Sequence, residues 1–207
     1  MKYKYIFCAG APGSKWSSLV KNIYFSPDVD QSDYSDARTY YHDASGKLDL
    51  MHLGAYFDPG MEFGGFFDRL QDYTKTECEA EFDRPFTGTG VRIIKSHVFA
   101  HHIDFIKQTW PECPIILALR DNDACLGWWV RCGHFDITYP NYQWYNDLRQ
   151  MGYQINTQNY ALKQYWHNNP KRWANNNRHL ALGLGIEAPP VEYYQEYELN
   201  DIKVAIV

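Results

Sequence analysis

The sequence predicts an α/β fold in which a phosphate-binding loop joins the first strand to the first helix. Residues 3–8 form a compact apolar, β-rich run that ends in a turn containing Gly and Pro. Residues 14–24 then repeat apolar side chains at helical spacing. Two later apolar runs, 91–95 and 115–119, are each followed by a helical pattern. This order of strand, glycine loop, helix and further strand–helix units is typical of nucleotide-binding α/β proteins.

The apolar strands also predict how the sheet is covered. Residues 115–119 (IILAL) are apolar without alternation, which is typical of a strand buried on both faces of a parallel sheet. Helical patterns at 100–109 and 121–131 supply right-handed crossovers. We therefore expect a three-layer sandwich with a central parallel sheet, of the P-loop nucleotide-binding type.

The rest of the chain is expected to elaborate this one domain of 207 residues. Residues 26–90 form a variable excursion, and residues 141–185 a helical C-terminal part. Within the excursion we expect a loop at 26–49, a short strand at 49–56, a helix at 62–74 and irregular structure at 75–90. Beyond it we expect helices at 142–151, 157–167 and 170–183, and a last strand at 202–207.

Composition narrows the functional classes. The formal charge is −5 and the sequence has no Lys/Arg run, which argues against a nucleic-acid or membrane partner. A local basic pocket for a small anion remains compatible with an acidic chain. The five cysteines have no CxxC spacing, and the first apolar run is too short for a signal peptide or a spanning helix. We expect reduced thiols and a cytoplasmic location.

The loop after the first strand has the residue types that bind a phosphate. Glycines let backbone N–H groups close around an anion at the positive end of a helix, and lysine and hydroxyl groups add further donors. The strict GxxxxGK[ST] pattern is not met, because Ser precedes the lysine and Trp follows it. A Gly-Pro turn before a capped helix is the simpler alternative. The candidate residues are Gly10, Gly13, Ser14, Lys15, Trp16, Ser17 and Ser18.

Two further segments, taken with the loop, resemble a known family. Pro12-Gly13-Ser14-Lys15-Trp16-Ser17 stands where sulfotransferases have P-[KR]-S-G-T-T, and Lys95-Ser96-His97 resembles their K-T-H strand end. Arg120-Asp121-Asn122-Asp123 resembles the end of their 3′-phosphate strand. The resemblance covers residues 3–132. It implies transfer of a sulfuryl group from 3′-phosphoadenosine 5′-phosphosulfate (PAPS) to a hydroxyl or amine of a small-molecule or glycan acceptor, leaving PAP.

The resemblance also implies roles for individual residues. His97 would be the catalytic base, since a histidine titrates near neutral pH. Lys95 and Lys15 would stabilise the charge that spreads over peripheral oxygens in a loose transition state. Residues 13–18 would bind the phosphosulfate, and Arg120 the 3′-phosphate, with Trp128 beside it. No metal is needed in this scheme.

Three departures separate the chain from the family pattern. Gly13 occupies the place of the loop lysine, whereas Lys15 follows Ser14. Trp128 stands where the family has a second 3′-phosphate ligand, a serine. The glycine/tryptophan-lysine segment that covers the cofactor in cytosolic members has no counterpart.

Other interpretations stay open at the level of sequence. A P-loop kinase or nucleotide hydrolase would use Asp121 near magnesium, and a degenerate domain would bind a glycan or protein without turnover. His97, His101 and His102 suggest zinc, but no fourth ligand follows at metal spacing. His97, Lys95 and Arg120 are also compatible with purely structural positions. The acceptor and the oligomeric state are not specified.

Overall fold

The chain folds around a five-stranded sheet, whose strands lie side by side in the order Arg92–Lys95, Tyr5–Gly10, Ile115–Arg120, Ile202–Ile206 and Arg172–Trp173. The computed structural model describes residues 2–35, 38, 40–41, 50–131, 147–169, 172–174, 177–190 and 201–207. The strands of this sheet are β1 (Tyr5–Gly10), β4 (Arg92–Lys95), β5 (Ile115–Arg120), β6 (Arg172–Trp173) and β7 (Ile202–Ile206). A separate antiparallel pair joins β2 (Tyr40–Tyr41) to β3 (Leu50–His52).

The sheet is mixed rather than purely parallel. The first strand, β1, lies between β4 and β5 and runs parallel to both. The last strand, β7, pairs antiparallel with β5 and with β6. The expected parallel strands are confirmed, and an antiparallel extension of this kind is common in large α/β sheets.

Helices cover both faces of the sheet, which makes three layers. They are α1 (Trp16–Tyr24), α2 (Lys75–Asp83), α3 (Ile103–Thr109), α4 (Asn122–Arg131), α5 (Leu148–Asn168) and α6 (Asn177–Leu184). Alternate residues of β1 divide between two cores. Ile6 and Cys8 pack with α1 and α6, whereas Tyr5 and Phe7 pack with α2, α3 and α5. The apolar strands are therefore buried on both faces, as their composition predicts.

The prediction of a helix at 62–74 is wrong. Its place is taken by a 3₁₀ helix, Phe67–Asp72, that is interrupted at Arg69. The α-helix lies farther on, at Lys75–Asp83, where irregular structure was expected. Thr74 and Glu77 form a reciprocal capping box at its start. Because α2 buries only Cys78 and Phe82, its apolar periodicity is weak and the cap is its main sequence signal.

The C-terminal part also differs from expectation. One helix, Leu148–Asn168, replaces the two that were expected at 142–151 and 157–167. Its buried residues continue one stripe across Gly152, so this glycine does not end the helix. The helix expected at 170–183 is divided into β6 and α6. Residues 142–146 lie outside the described residues, and the last strand is confirmed at Ile202–Ile206.

The cysteines that the structure describes are buried free thiols: Cys8, Cys78, Cys113 and Cys125. The fifth, Cys132, lies outside the described residues. Within the described part of the chain, no helix has the length and apolar character needed to cross a bilayer.

Candidate active site

The three motif segments meet at one edge of the sheet. Parallel pairing places the carboxyl ends of β1, β4 and β5 side by side. The loop of residues 11–15 follows β1, Ser96 and His97 follow β4, and Arg120 ends β5. The helix after β1 packs on one face and the helix after β4 on the other. In open α/β sheets, such a change of side at the carboxyl ends of the strands marks the place where ligands bind.

The carbonyl groups in and beside the loop have hydrogen-bond partners. The Gly10 oxygen lies 2.8 Å from His97 Nδ1, and the Gly13 oxygen accepts from Arg120 Nη1 at 2.9 Å. The Ala11 oxygen accepts from the Ser14 amide at 3.0 Å. The α1 helix that follows directs its positive dipole end at this loop. Its first N–H groups have no intrahelical acceptor, so the arrangement favours an anion.

Close packing explains why the loop lysine is displaced from its usual place in the motif. Gly13 has φ +75°, and a Cβ atom there would lie 2.1 Å from the Cys125 carbonyl oxygen. A lysine at this position has no room. Lys15 instead stands where the sulfotransferase motif has glycine, and it takes the left-handed φ of 60° that glycine would adopt. The positive charge is therefore two residues farther along the loop.

Ser14 supplies a buried hydroxyl inside the loop. Its side chain is fully buried, and Oγ has no hydrogen-bond partner among the described residues. A Cβ atom at Gly10 would lie 2.7 Å from this oxygen, so the glycine makes room for it. Ser17 and Ser18 lie in the first turn of α1, and the structure describes their backbone but not their side chains. Ser14 is therefore the loop hydroxyl that the structure describes.

His97 lies against the loop in an aromatic enclosure. Its ring makes edge contacts with Trp16 and Tyr56, at centroid distances of 5.1 and 5.7 Å. The Trp16 Nε1 atom lies 3.1 Å from His97 Nδ1, and the Gly10 oxygen lies closer, at 2.8 Å. The indole N–H can only donate a hydrogen bond, and the carbonyl oxygen can only accept one. Because Nδ1 either carries a proton or a lone pair, it can pair with only one of these two groups. We assign the proton to Nδ1, because the carbonyl is nearer, and the lone pair to Nε2.

Burial keeps His97 in its neutral form. It lowers the pKa of the imidazole below its usual range, whereas the nearby Asp58 carboxylate opposes this change. The ring is therefore uncharged at pH 7 and can accept a proton. Trp16, predicted to contact the cofactor, is itself buried and packs against this histidine.

Asp58 is a site residue that the sequence analysis missed. Its Oδ1 accepts from Ser96 Oγ at 2.5 Å and from the His97 amide at 3.1 Å. Burial raises the pKa of this carboxyl, and the hydrogen bond from Ser96 opposes that rise. Asp58 therefore fixes the turn that carries the histidine. Its sequence signal was only an Asp-Pro-Gly turn among aromatics, which does not point to residues 96 and 97.

Lys95 does not reach the loop. It pairs with Cys8 across β1 and β4, and its Nζ donates to the Leu53 carbonyl oxygen in the core on the α1 side. Burial lowers the pKa of its ammonium to about 8, whereas the Asp33 carboxylate opposes this. The predicted catalytic role is not supported by this position, because the strand alternation directs the side chain into the interior.

The buried Lys95 predicts a pH dependence of stability. Its pKa falls from 10.5 in the unfolded chain to about 8 in the folded protein. Between these values the unfolded state binds the extra proton, so this lysine makes the folded protein more stable as pH rises. In chemical denaturation, the stability of wild type relative to Lys95→Met should rise by up to about 3 kcal/mol from pH 8 to 10.5. If the difference in stability between wild type and Lys95→Met did not change with pH, the burial of the Lys95 ammonium would be contradicted.

Arg120 and Lys15 bring two positive charges to the other side of the loop. Besides the Gly13 carbonyl, Arg120 contacts Asp201, whose Oδ2 accepts from Nε at 2.7 Å and from Nη2 at 2.5 Å. The Lys15 Nζ lies 3.9 Å from the other oxygen of the same carboxylate. Lys15 and Arg120, each predicted separately as a site residue, are thus brought together, and Asp201 is a second residue that the sequence analysis missed.

Trp128 forms an aromatic surface for cations. The Lys15 Nζ lies 4.7 Å from its ring centroid, and the guanidinium carbons of Arg120 and Arg131 lie at 5.8 and 5.7 Å. The three cations thus gather around the indole ring, while its buried Nε1–H has no hydrogen-bond partner among the described residues. Arg131, which the sequence analysis did not select, adds a third positive charge.

Comparisons of the chain with protein-family models, with curated proteins and with solved structures find no match. Among the described residues, no group of three or more His, Cys, Asp or Glu side chains is placed to hold a metal ion.

Proposed function

We propose that the chain is a sulfotransferase that moves a sulfuryl group from PAPS to a hydroxyl or amine of a small-molecule or glycan acceptor. One observation carries the proposal: the loop is joined to His97 by its Gly10 carbonyl and to Arg120 by its Gly13 carbonyl. The three segments that resemble sulfotransferase motifs thus contact one another at one sheet edge. A candidate base, an anion loop and a guanidinium lie together there.

The residues of the loop suit an anionic donor. Ser14 Oγ is a buried hydroxyl without a hydrogen-bond partner in the described part of the chain, and Gly10 makes room for it. Ser14, Lys15 and the first amides of α1 would hold the phosphosulfate, and Arg120 the 3′-phosphate. PAPS supplies the transferable sulfuryl group when it is bound.

The remaining residues act on the acceptor and on each other. His97 would take the proton of the acceptor hydroxyl or amine at Nε2, while its Nδ1–H stays on the Gly10 carbonyl. Asp58 holds the turn that carries this ring. Trp128 keeps Lys15 and Arg120 together, so their charge is concentrated beside the loop.

The competing enzyme class, a magnesium-dependent kinase or nucleotide hydrolase, gains no support from Asp121. Its Oδ1 accepts from the amides of Asp123 at 2.9 Å and Ala124 at 3.2 Å. These bonds cap the start of α4, so the carboxylate has a structural role at that position.

A transfer assay tests the proposal. Purified protein is incubated with ³⁵S-labelled PAPS and a panel of phenols, aliphatic alcohols, amines and sugars, and labelled product and PAP are measured. We expect label to pass to at least one acceptor class, with one PAP released for each transfer. Magnesium-dependent ATP turnover in place of sulfate transfer would favour the kinase. Binding of a glycan without any turnover would favour the non-catalytic domain.

A further inference from the structure

The carboxylate of Asp201 is already bound to the Arg120 guanidinium, the group of the site best suited to bind an anion. It accepts two hydrogen bonds from the Arg120 guanidinium and lies 3.9 Å from the Lys15 ammonium. Both bonds end on the same oxygen, Oδ2, and an oxygen of a phosphate can accept from the same two N–H groups. Asp201 thus takes the position on Arg120 that an external anion would take.

The sheet fixes the backbone of Asp201 but leaves its side chain free to move. The next residue, Ile202, pairs with Arg120 between β7 and β5, so Asp201 is always presented to this arginine. Its side chain is 45% exposed, whereas that of Arg120 is only 8% exposed. The carboxylate can therefore turn into water without disturbing a strand, while the buried guanidinium needs a replacement partner.

We propose that Asp201 competes, within the same chain, with external anions for the Arg120 guanidinium. An incoming anion binds there only if it outcompetes a carboxylate that is tethered beside the guanidinium. Because every anion must displace the same carboxylate, Asp201 lowers the affinity of Arg120 for sulfate and for phosphate by the same factor. That factor is set by the strength of the contacts of Asp201 with Arg120 and Lys15.

This inference depends on the proposed function only for the identity of the natural ligand, a 3′-phosphate. Its test therefore uses inorganic anions. Sulfate and phosphate are titrated into wild type and Asp201→Asn by calorimetry, and thermal unfolding is followed with and without each anion. Asp104→Asn, an exposed position in the first turn of α3, is a control with the same loss of charge.

We expect Asp201→Asn to bind both sulfate and phosphate at least about tenfold more tightly than wild type, by a similar factor for the two anions. Without anion it should unfold at a lower temperature than wild type, because Arg120 has lost its partner, and added sulfate should restore most of the difference. Asp104→Asn should match wild type in both measurements. Sulfate affinity equal to that of wild type, in a folded Asp201→Asn protein, would overturn the proposal.

A PAP titration of the same proteins separates this inference from the proposed function. If Asp201→Asn gains sulfate affinity but neither protein binds PAP, the competition by Asp201 stands and the assignment of PAPS fails. If wild type binds PAP but the two proteins bind sulfate equally, the assignment of PAPS stands and the competition fails.

Discussion

Replacement of His97 by Asn is expected to lower the rate of sulfuryl transfer by about 10²- to 10⁴-fold, the usual contribution of a general base. The Asn amide can still donate to the Gly10 carbonyl, which now lies 2.8 Å from Nδ1, but it has no basic nitrogen. Affinity for PAP should therefore change by less than about threefold. Steady-state rates and PAP calorimetry on the same preparation separate the two effects.

The control for this substitution is His101→Asn. His101 ends the short 3₁₀ helix Val98–His101 that follows His97, is exposed and contacts no loop residue among the described contacts. This variant should keep the wild-type rate. The acid limb of the wild-type pH–rate profile should lie below pH 6.5, because burial lowers the pKa of His97 from that value. A His97→Asn enzyme with the wild-type rate would show that another group takes the proton.

Replacement of Gly13 by Ala is expected to destabilise the protein by about 3 kcal/mol. A Cβ atom there would lie 2.1 Å from the Cys125 carbonyl oxygen, and φ is +75°. A left-handed backbone costs an alanine about 1–2 kcal/mol, and overpacking typically adds about 1–3 kcal/mol. Urea unfolding followed by tryptophan fluorescence measures the change in the free energy of unfolding.

Gly127→Ala is the matched control. Gly127 lies within α4, and a Cβ atom there would meet nothing within 4 Å. Alanine has the higher helix propensity, so this variant should be more stable by up to about 1 kcal/mol. If Gly13→Ala unfolded at the same urea concentration as wild type, the loop would not pack on α4 as the structure has it. The displacement of the loop lysine to position 15 would then need another explanation.

Local sequence patterns were sufficient to predict the central parallel strands of the fold. The strands β1, β4 and β5 are short apolar runs, each followed by a helical pattern, so their positions in the chain and their parallel direction could be predicted. Parallel strands then bring their carboxyl ends together, which is why the loop, His97 and Arg120 are neighbours. Helix α2 was missed because its stability comes from a capping box and two buried residues rather than from an apolar stripe.

The details of the site depend on contacts between distant parts of the chain. Asp58 and Asp201 lie far in sequence from the groups that they bind, His97 and Arg120, and no local motif marks either of them. Lys95 is different, because the direction of its side chain follows from the alternation of side chains between the two faces of a strand. It shares a strand face with the buried Ile93, so the sequence already carried the signal that its side chain points into the core.

Calorimetric titration of PAP into wild type and Arg120→Ala tests the central claim most directly. ATP with magnesium serves as the competing ligand, and Arg149→Ala, an exposed arginine of α5, as the control variant. We expect wild type and Arg149→Ala to bind PAP with micromolar affinity, and Arg120→Ala to bind it at least about tenfold more weakly. Absence of PAP binding to wild type, or equal affinity in Arg120→Ala, would contradict the assignment of this sheet edge as a PAPS site.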